Sequence, residues 1–184
     1  MFTDIYIETN RLIIRPLSPE DADQLYNIVK QDEVMRYLPE DVMSLAEVKG
    51  IIDWLGKCYR ENRPDHIIKF TVAIVWKKTG EVIGWIGLGP LDFSPFEIEL
   101  YYGLSSAYWG QGIATEASRA MLKYGFEIIG LKRIVSVTKA ENVGSVKVIE
   151  KLKMRFEAKL TGLADEHYHY EGCLLYSITK HDSL

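Results

Sequence analysis

What most limits the folds open to this chain is the stretch Tyr108-Trp109-Gly110-Gln111-Gly112-Ile113-Ala114-Thr115-Glu116-Ala117 and what flanks it. Upstream, residues 97–104 alternate. Ile98, Leu100, Tyr102 and Leu104 fall on one face and Glu97, Glu99 and Tyr101 on the other, which is the period of a strand. Downstream, Ala117, Ala120, Met121, Tyr124 and Ile128 recur at helical spacing over residues 114–129, and Gly130 is the expected stop. Two glycines in the turn permit dihedrals closed to other residues and let a ligand approach the main chain. The helix then offers N–H groups without intrahelical partners and the positive end of its dipole. Together these make an anion site, best suited to a pyrophosphate. The stretch lacks the Lys-Ser/Thr of a Walker-type loop. It also lacks the third glycine and the early βαβ unit of a dinucleotide fold.

The rest of the chain supplies the frame. A strand is predicted over residues 11–17, and Ser18 with Pro19 opens a helix whose stripe is Ala22, Leu25, Tyr26 and Val29. Ser44-Leu45-Ala46-Glu47 is a capping box leading into Val48, Ile51, Ile52, Leu55 and Tyr59. Strands over 69–76 and 81–88 flank the turn Lys78-Thr79-Gly80. Strands over 133–138, 156–160 and 174–179 and a helix over 143–152 complete the order β, α, α, β, β, β, α, β, α, β, β. Antiparallel strands feeding a strand–helix–strand–helix segment predict a mixed α/β fold, with residues 1–184 as one domain.

Composition excludes several classes. The chain has 184 residues, 47% of them hydrophobic, enough for a core without disulfides or metal. The longest apolar run, residues 72–76, is far short of the roughly 20 a membrane helix needs, and the first residues carry no signal-peptide pattern. A net charge of −4 with no Lys/Arg run argues against nucleic-acid binding. Cys58 and Cys173 are expected as buried, reduced thiols of a cytoplasmic protein.

Three separated motifs carry a family resemblance. The Gly110/Gly112 stretch resembles the acyl-CoA signature Q/R-x-x-G-x-G/A of the GNAT N-acetyltransferases. Thr9-Asn10-Arg11-Leu12-Ile13-Ile14-Arg15-Pro16-Leu17 with Asp21-Ala22 resembles the opening of the branch that acetylates ribosomal-protein N-termini. Asn142-Val143-Gly144-Ser145 with Glu150-Lys151-Leu152 resembles that branch's N-x-x-S and E-K-L pattern. Three departures stand out. Ala107 replaces the usual Gln or Arg, Ile149 stands where many members have a Tyr acid, and Lys153-Met154 replaces Gly-Phe.

The resemblance implies a GNAT fold. Its mixed, largely antiparallel central sheet has helices on both faces and a splayed central strand pair that binds CoA. It implies acetyl-CoA as co-substrate, no metal, and direct transfer to a primary amine. A protein or peptide N-terminus leads as acceptor, with a polyamine, amino acid or antibiotic as the small-molecule alternative and a non-catalytic CoA-binding module as a third possibility. Monomer and homodimer both remain open. Gly110, Gln111, Gly112, Ile113, Ala114 and Thr115 are the expected pyrophosphate segment, with donors from the main chain of Gln111, Gly112, Ala114 and Thr115. Tyr102 and Leu104 would hold the pantetheine arm through their main chain. A backbone N–H near Leu100 or Tyr101 would meet the thioester oxygen. Glu99 is the candidate base, since a carboxylate on a central strand is costly unless it faces a wet cleft. Asn142 suits a helix cap and a CoA contact, and Ser145 is the candidate acid for the leaving thiolate.

Further expectations concern the surroundings. Residues 38–47, 93–96 and 167–170 are expected to line the acceptor site. Glu40, Asp41, Glu47, Asp92, Glu97, Glu99, Asp165, Glu166 and Glu171 would give it a negative field. Trp54, Trp76 and Trp85 are expected in the core. The His167/His169 pair lacks the accompanying ligands of a metal site. Val at position 112 is expected to block the anion site with little effect on the unliganded fold.

Overall fold

The computed structural model describes residues 1–38 and 42–182. Its centre is an eight-stranded sheet in the order β1-β2-β3-β4-β5-β6-β8-β7. The strands are β1 (Ile7–Glu8), β2 (Leu12–Pro16), β3 (Phe70–Trp76), β4 (Glu81–Leu91), β5 (Ser94–Leu104), β6 (Arg133–Thr138), β7 (Arg155–Lys159) and β8 (Leu174–Thr179). All neighbours are antiparallel except β5 and β6, which run parallel and meet, among the described residues, at the single pair Glu99–Val135. The splayed strand pair implied by the resemblance is this one.

Helices α1 (Ala22–Val29), α2 (Asp32–Met35), α3 (Leu45–Glu61), α4 (Ile113–Tyr124) and α5 (Val143–Lys151) flank the sheet. α1 and α3 pack together and reach β4 and β3, while α4 and α5 pack together and reach β4, β5 and β6. Both predicted starts hold. Ser18 and Asp21 form a capping box around the 3-10 turn Pro19–Asp21, and Ser44 and Glu47 form the second ahead of α3. Phe70, Ile86, Leu88, Leu100, Ile113, Met121 and Ile134 lie almost wholly out of water between the sheet and its helices.

Two expectations fail. The helix expected to run to residue 129 changes winding, with α4 ending at Tyr124 and Gly125–Ile129 forming a π turn. The wider turn advances the inward position by one residue. Ile129 is therefore buried while Ile128 is 51% exposed. Gly130 still ends the segment, at φ +87°. Trp54 is not core. It lies off the buried stripe Val48, Ile52, Leu55, Cys58 and Tyr59, and is 46% exposed.

Candidate functional site

The anion turn is built by backbone geometry. Gly110 and Gly112 both sit in the left-handed region, at φ +73° and +75°. Gly112 is the N-cap of α4 and, having no side chain, leaves the first-turn N–H groups without a side-chain acceptor. A Cβ at Gly110 would meet no atom within 4 Å, and one at Gly112 only the Arg11 guanidinium at 3.8 Å. The outward face of this turn is thus open main chain ending in a helix N-terminus, which suits a diphosphate. The φ of +75° also corrects one expectation. Any Cβ at position 112 costs about 1–2 kcal/mol of fold stability, and a β-branched one more, so Val there cannot spare the unliganded protein.

A clamp from the other end of the chain fixes the turn. The Glu116 carboxylate accepts from Thr9 Oγ1 at 2.6 Å, Arg11 N at 2.9 Å and Arg11 Nε at 2.7 Å. Arg11 Nη1 then donates to the Gln111 carbonyl at 2.9 Å. Burial works to raise the Glu116 pKa, but the bonds from Thr9 and Arg11 outweigh it and hold it below the ordinary carboxylate range. Sequence reasoning assigned Arg11 no such role, because its partner lies 105 residues away.

The turn opens into a cavity of about 830 Å³. Of the residues expected at the site, Glu99, Tyr102, Leu104, Gly110, Gly112, Ile113, Ala114, Thr115, Asn142 and Ser145 all line it. Gln111 is not among its lining residues. Its amide donates back to the Ala107 carbonyl at 3.0 Å, and its own carbonyl is held by Arg11.

Two polar pairs meet where β5 and β6 part. Glu99 Oε1 accepts from Val137 N–H at 3.3 Å, so in the gap a side-chain bond stands in for a ladder bond. Arg11 and Arg15 are both engaged elsewhere, Arg11 with Glu116 and Arg15 with Asp21, each at 2.7 Å. On the opposite face of β5, Tyr102 donates from Oη to Ser145 Oγ at 3.2 Å. Burial pushes the Tyr102 phenol up, and the bond to Ser145 only partly offsets this, so the tyrosine stays a neutral donor. Asn142 is the cap that sequence suggested, its Oδ1 accepting from Ser145 N at 3.2 Å. Alternation had placed Tyr102 on this face, but its hydroxyl was not foreseen as the partner of Ser145.

The acceptor side is partly as expected. His169 and Tyr170, in the 3-10 segment Asp165–Tyr170, line the cavity. Tyr170 donates to Asp92 at 3.0 Å and stacks edgewise on Phe93, whereas Phe96 is fully exposed. Trp54, expected in the core, lines the cavity instead, and Trp85 both packs against the core and lines the cavity. Glu40 and Asp41 lie outside the described residues. Among the other expected acids, Glu47 is spent in its capping box, Glu97 pairs with Arg133, and Glu171 takes the N–H groups of Gly162 and Leu163. Of that set, Asp92 and Glu99 line the cavity, joined by Glu33 and Glu141, but Arg36, Lys69, Lys139, Lys147 and Lys151 line it as well, so the lining is not the negative one the sequence suggested. Among the described residues no group of three or more metal-ligating side chains forms, and no helix is long and apolar enough to cross a membrane.

A family model described as an acetyltransferase (GNAT) domain matches residues 11–155. The chain belongs to the GNAT acetyltransferase family. The uncharacterized N-acetyltransferase YoaA of Bacillus subtilis is 30% identical over 183 residues, covering 95% of this chain and 96% of that one. Spermidine N(1)-acetyltransferase of Escherichia coli K12 is 24% identical, covering 93% and 87%. The solved structure of a putative ribosomal-protein-serine acetyltransferase from Vibrio cholerae superposes with a TM-score of 0.78 at 21% identity, covering 97% and 99%. At that identity the likeness speaks for the GNAT fold. The protein is an acetyltransferase, and enzymes of this family draw the acetyl group from acetyl-CoA.

Proposed function

We propose that this enzyme acetylates the free α-amino group of a protein or peptide, with Glu99 as base and Ser145 as the acid facing the leaving sulfur. One observation carries the reading. The anion turn at Gly110 and Gly112, Glu99 and the Tyr102–Ser145 pair, far apart in sequence, line one cavity at the point where β5 and β6 part. The segment Gly110–Thr115 would hold the diphosphate, with Gln111 contributing main chain only. The edges of β5 at Tyr102 and Leu104 would hold the pantetheine amides. A backbone N–H at Leu100 or Tyr101 would receive the thioester oxygen as it gains charge.

The proton accounting favours an α-amine. The neutral amine attacks the thioester carbon, a C–N bond forms, the C–S bond breaks, and one amine proton leaves toward Glu99 through water. At pH 7, neutralising an α-amine costs about 1 kcal/mol, against nearly 5 kcal/mol for a lysine-like amine. One carboxylate at the cavity, accepting from the Val137 N–H, suits the first task better. Ser145, oriented by Tyr102 and Asn142, has the lighter work, because a thiolate of ordinary pKa about 8.5 needs little help to leave.

A polyamine acceptor is the second reading, supported by the spermidine-acetylating relative. The two separate in one experiment. Acetyl-CoA consumption is followed with peptides bearing free N-termini beside spermidine and an aminoglycoside. The first reading expects peptides to lead in kcat/KM, and turnover of spermidine with no turnover of any peptide would replace it.

A further inference from the structure

β4 carries glycine at two places where a side chain would fill the face of the sheet turned to Glu99. Gly87 pairs with Tyr101 and Gly89 with Glu99. Both clearings are used. Over Gly87 the hydroxyls of Thr71 and Tyr101 meet at 2.7 Å, and a Cβ there would stand 2.4 Å from the tyrosine oxygen. Over Gly89 runs the stem of Lys69, whose Cδ would lie 3.3 Å from a Cβ at that position. The ammonium of Lys69 ends 4.3 Å from the centre of the Tyr101 ring. Tyr101 and Glu99 are two residues apart on one strand and so share a face. Lys69, Glu99 and Tyr101 all line the cavity.

We infer that Lys69 selects the acceptor by charge. It disfavours amines that bring a second cation close to the reacting nitrogen and favours those that place an oxygen there, such as the carbonyl next to an α-amine. The aromatic face holds the ammonium electrostatically without using its N–H donors, which stay available to an acceptor oxygen. An amine that reaches Glu99 must bring its near substituents within several ångströms of Lys69 Nζ. Two like charges about 7 Å apart, at an effective dielectric between protein and water, differ from a neutral arrangement by about tenfold in kcat/KM. The inference rests on Glu99 marking the reacting end of the cavity. It does not need the acceptor to be a peptide.

The test compares wild type with Lys69→Gln and Lys69→Glu on three acceptors: a short peptide with a free N-terminus, spermidine, and a plain alkyl monoamine. Circular dichroism confirms that each variant is folded. The kcat/KM ratio of spermidine to monoamine is expected to rise about tenfold in Lys69→Gln and further in Lys69→Glu, while the ratio of peptide to monoamine falls. Ratios that stay fixed, whether or not the absolute rates drop, overturn the inference and assign Lys69 to structure. If wild type ignores peptides while the spermidine ratio still climbs with the charge change, the peptide reading fails and the role of Lys69 stands.

Discussion

Replacing Glu116 by Ala should damage both the fold and CoA binding, by amounts that the clamp geometry sets. The substitution removes the acceptor for Thr9 Oγ1, Arg11 N and Arg11 Nε. A hydrogen bond to a charged group contributes about 1.5–3 kcal/mol when shielded from water. Here the Arg11 and Glu116 side chains are 34% and 18% exposed, which trims the ion pair itself to about 1 kcal/mol or less. With the two remaining bonds discounted for partial exposure, a net loss of about 3 kcal/mol follows. In a chain of 184 residues that lowers the melting temperature by about 6–12 °C. Freed of Glu116, Arg11 no longer pins the Gln111 carbonyl, so KM for acetyl-CoA should rise about tenfold with kcat little changed. Glu116→Gln keeps the shape and one acceptor oxygen, and should recover about half the stability. Because the folded-state pKa of Glu116 is depressed, its contribution is complete above the ordinary carboxylate range and disappears as pH falls through the lowered value. The acid limb of a stability–pH curve should therefore be shallower in Glu116→Ala. Calorimetry with and without CoA reads both effects. A melting loss of this size with unchanged CoA affinity would refute the tether from clamp to turn, and an unmoved melting temperature would refute the energetics.

Glu99→Gln should cut the rate about 10²-fold at neutral pH, with the loss shrinking as the amine deprotonates at high pH. A loss equal at every pH would make Glu99 a positioning group. Lys153 is the one non-glycine with positive φ among the described residues, at +60°, a conformation that Gly adopts without strain. Lys153→Gly should stabilise the protein by about 1 kcal/mol, and a lower melting temperature would show that the lysine side chain contributes more than its backbone strain costs.

Most of the frame was legible because it is local. The two capping boxes, the Lys78-Thr79-Gly80 turn and the period-two run ending at Leu104 each declare themselves within a few residues. What failed was set by distant packing. A Cβ on Gly125 would lie 2.9 Å from the Ile134 side chain, so the long helix comes close against β6 where its winding changes, and a fixed 3.6-residue period cannot anticipate that change. No motif in the sequence marks the glycines of β4. They become meaningful only when Thr71, Lys69, Tyr101 and Glu99 arrive over them. The site residues themselves came from motif spacing. Their connections, Tyr102 to Ser145 and Glu99 to Val137, depend on where β5 and β6 part.

The strand order also has a temporal side. β8 lies between β6 and β7, both of which precede it in the chain. β6 pairs with β5, among the described residues, at one register position, whereas its ladder with β8 runs the whole length of Arg133–Thr138. The wall that presents Val137 N–H to Glu99 therefore cannot set until a segment about forty residues downstream has threaded into place. Until then β6 and β7 are open edges, the kind of surface on which nascent chains misassociate. The carboxylate end of the cavity is thus among the last parts of this protein to acquire its shape, whereas the β3–β4–β5 meander can close as each strand emerges.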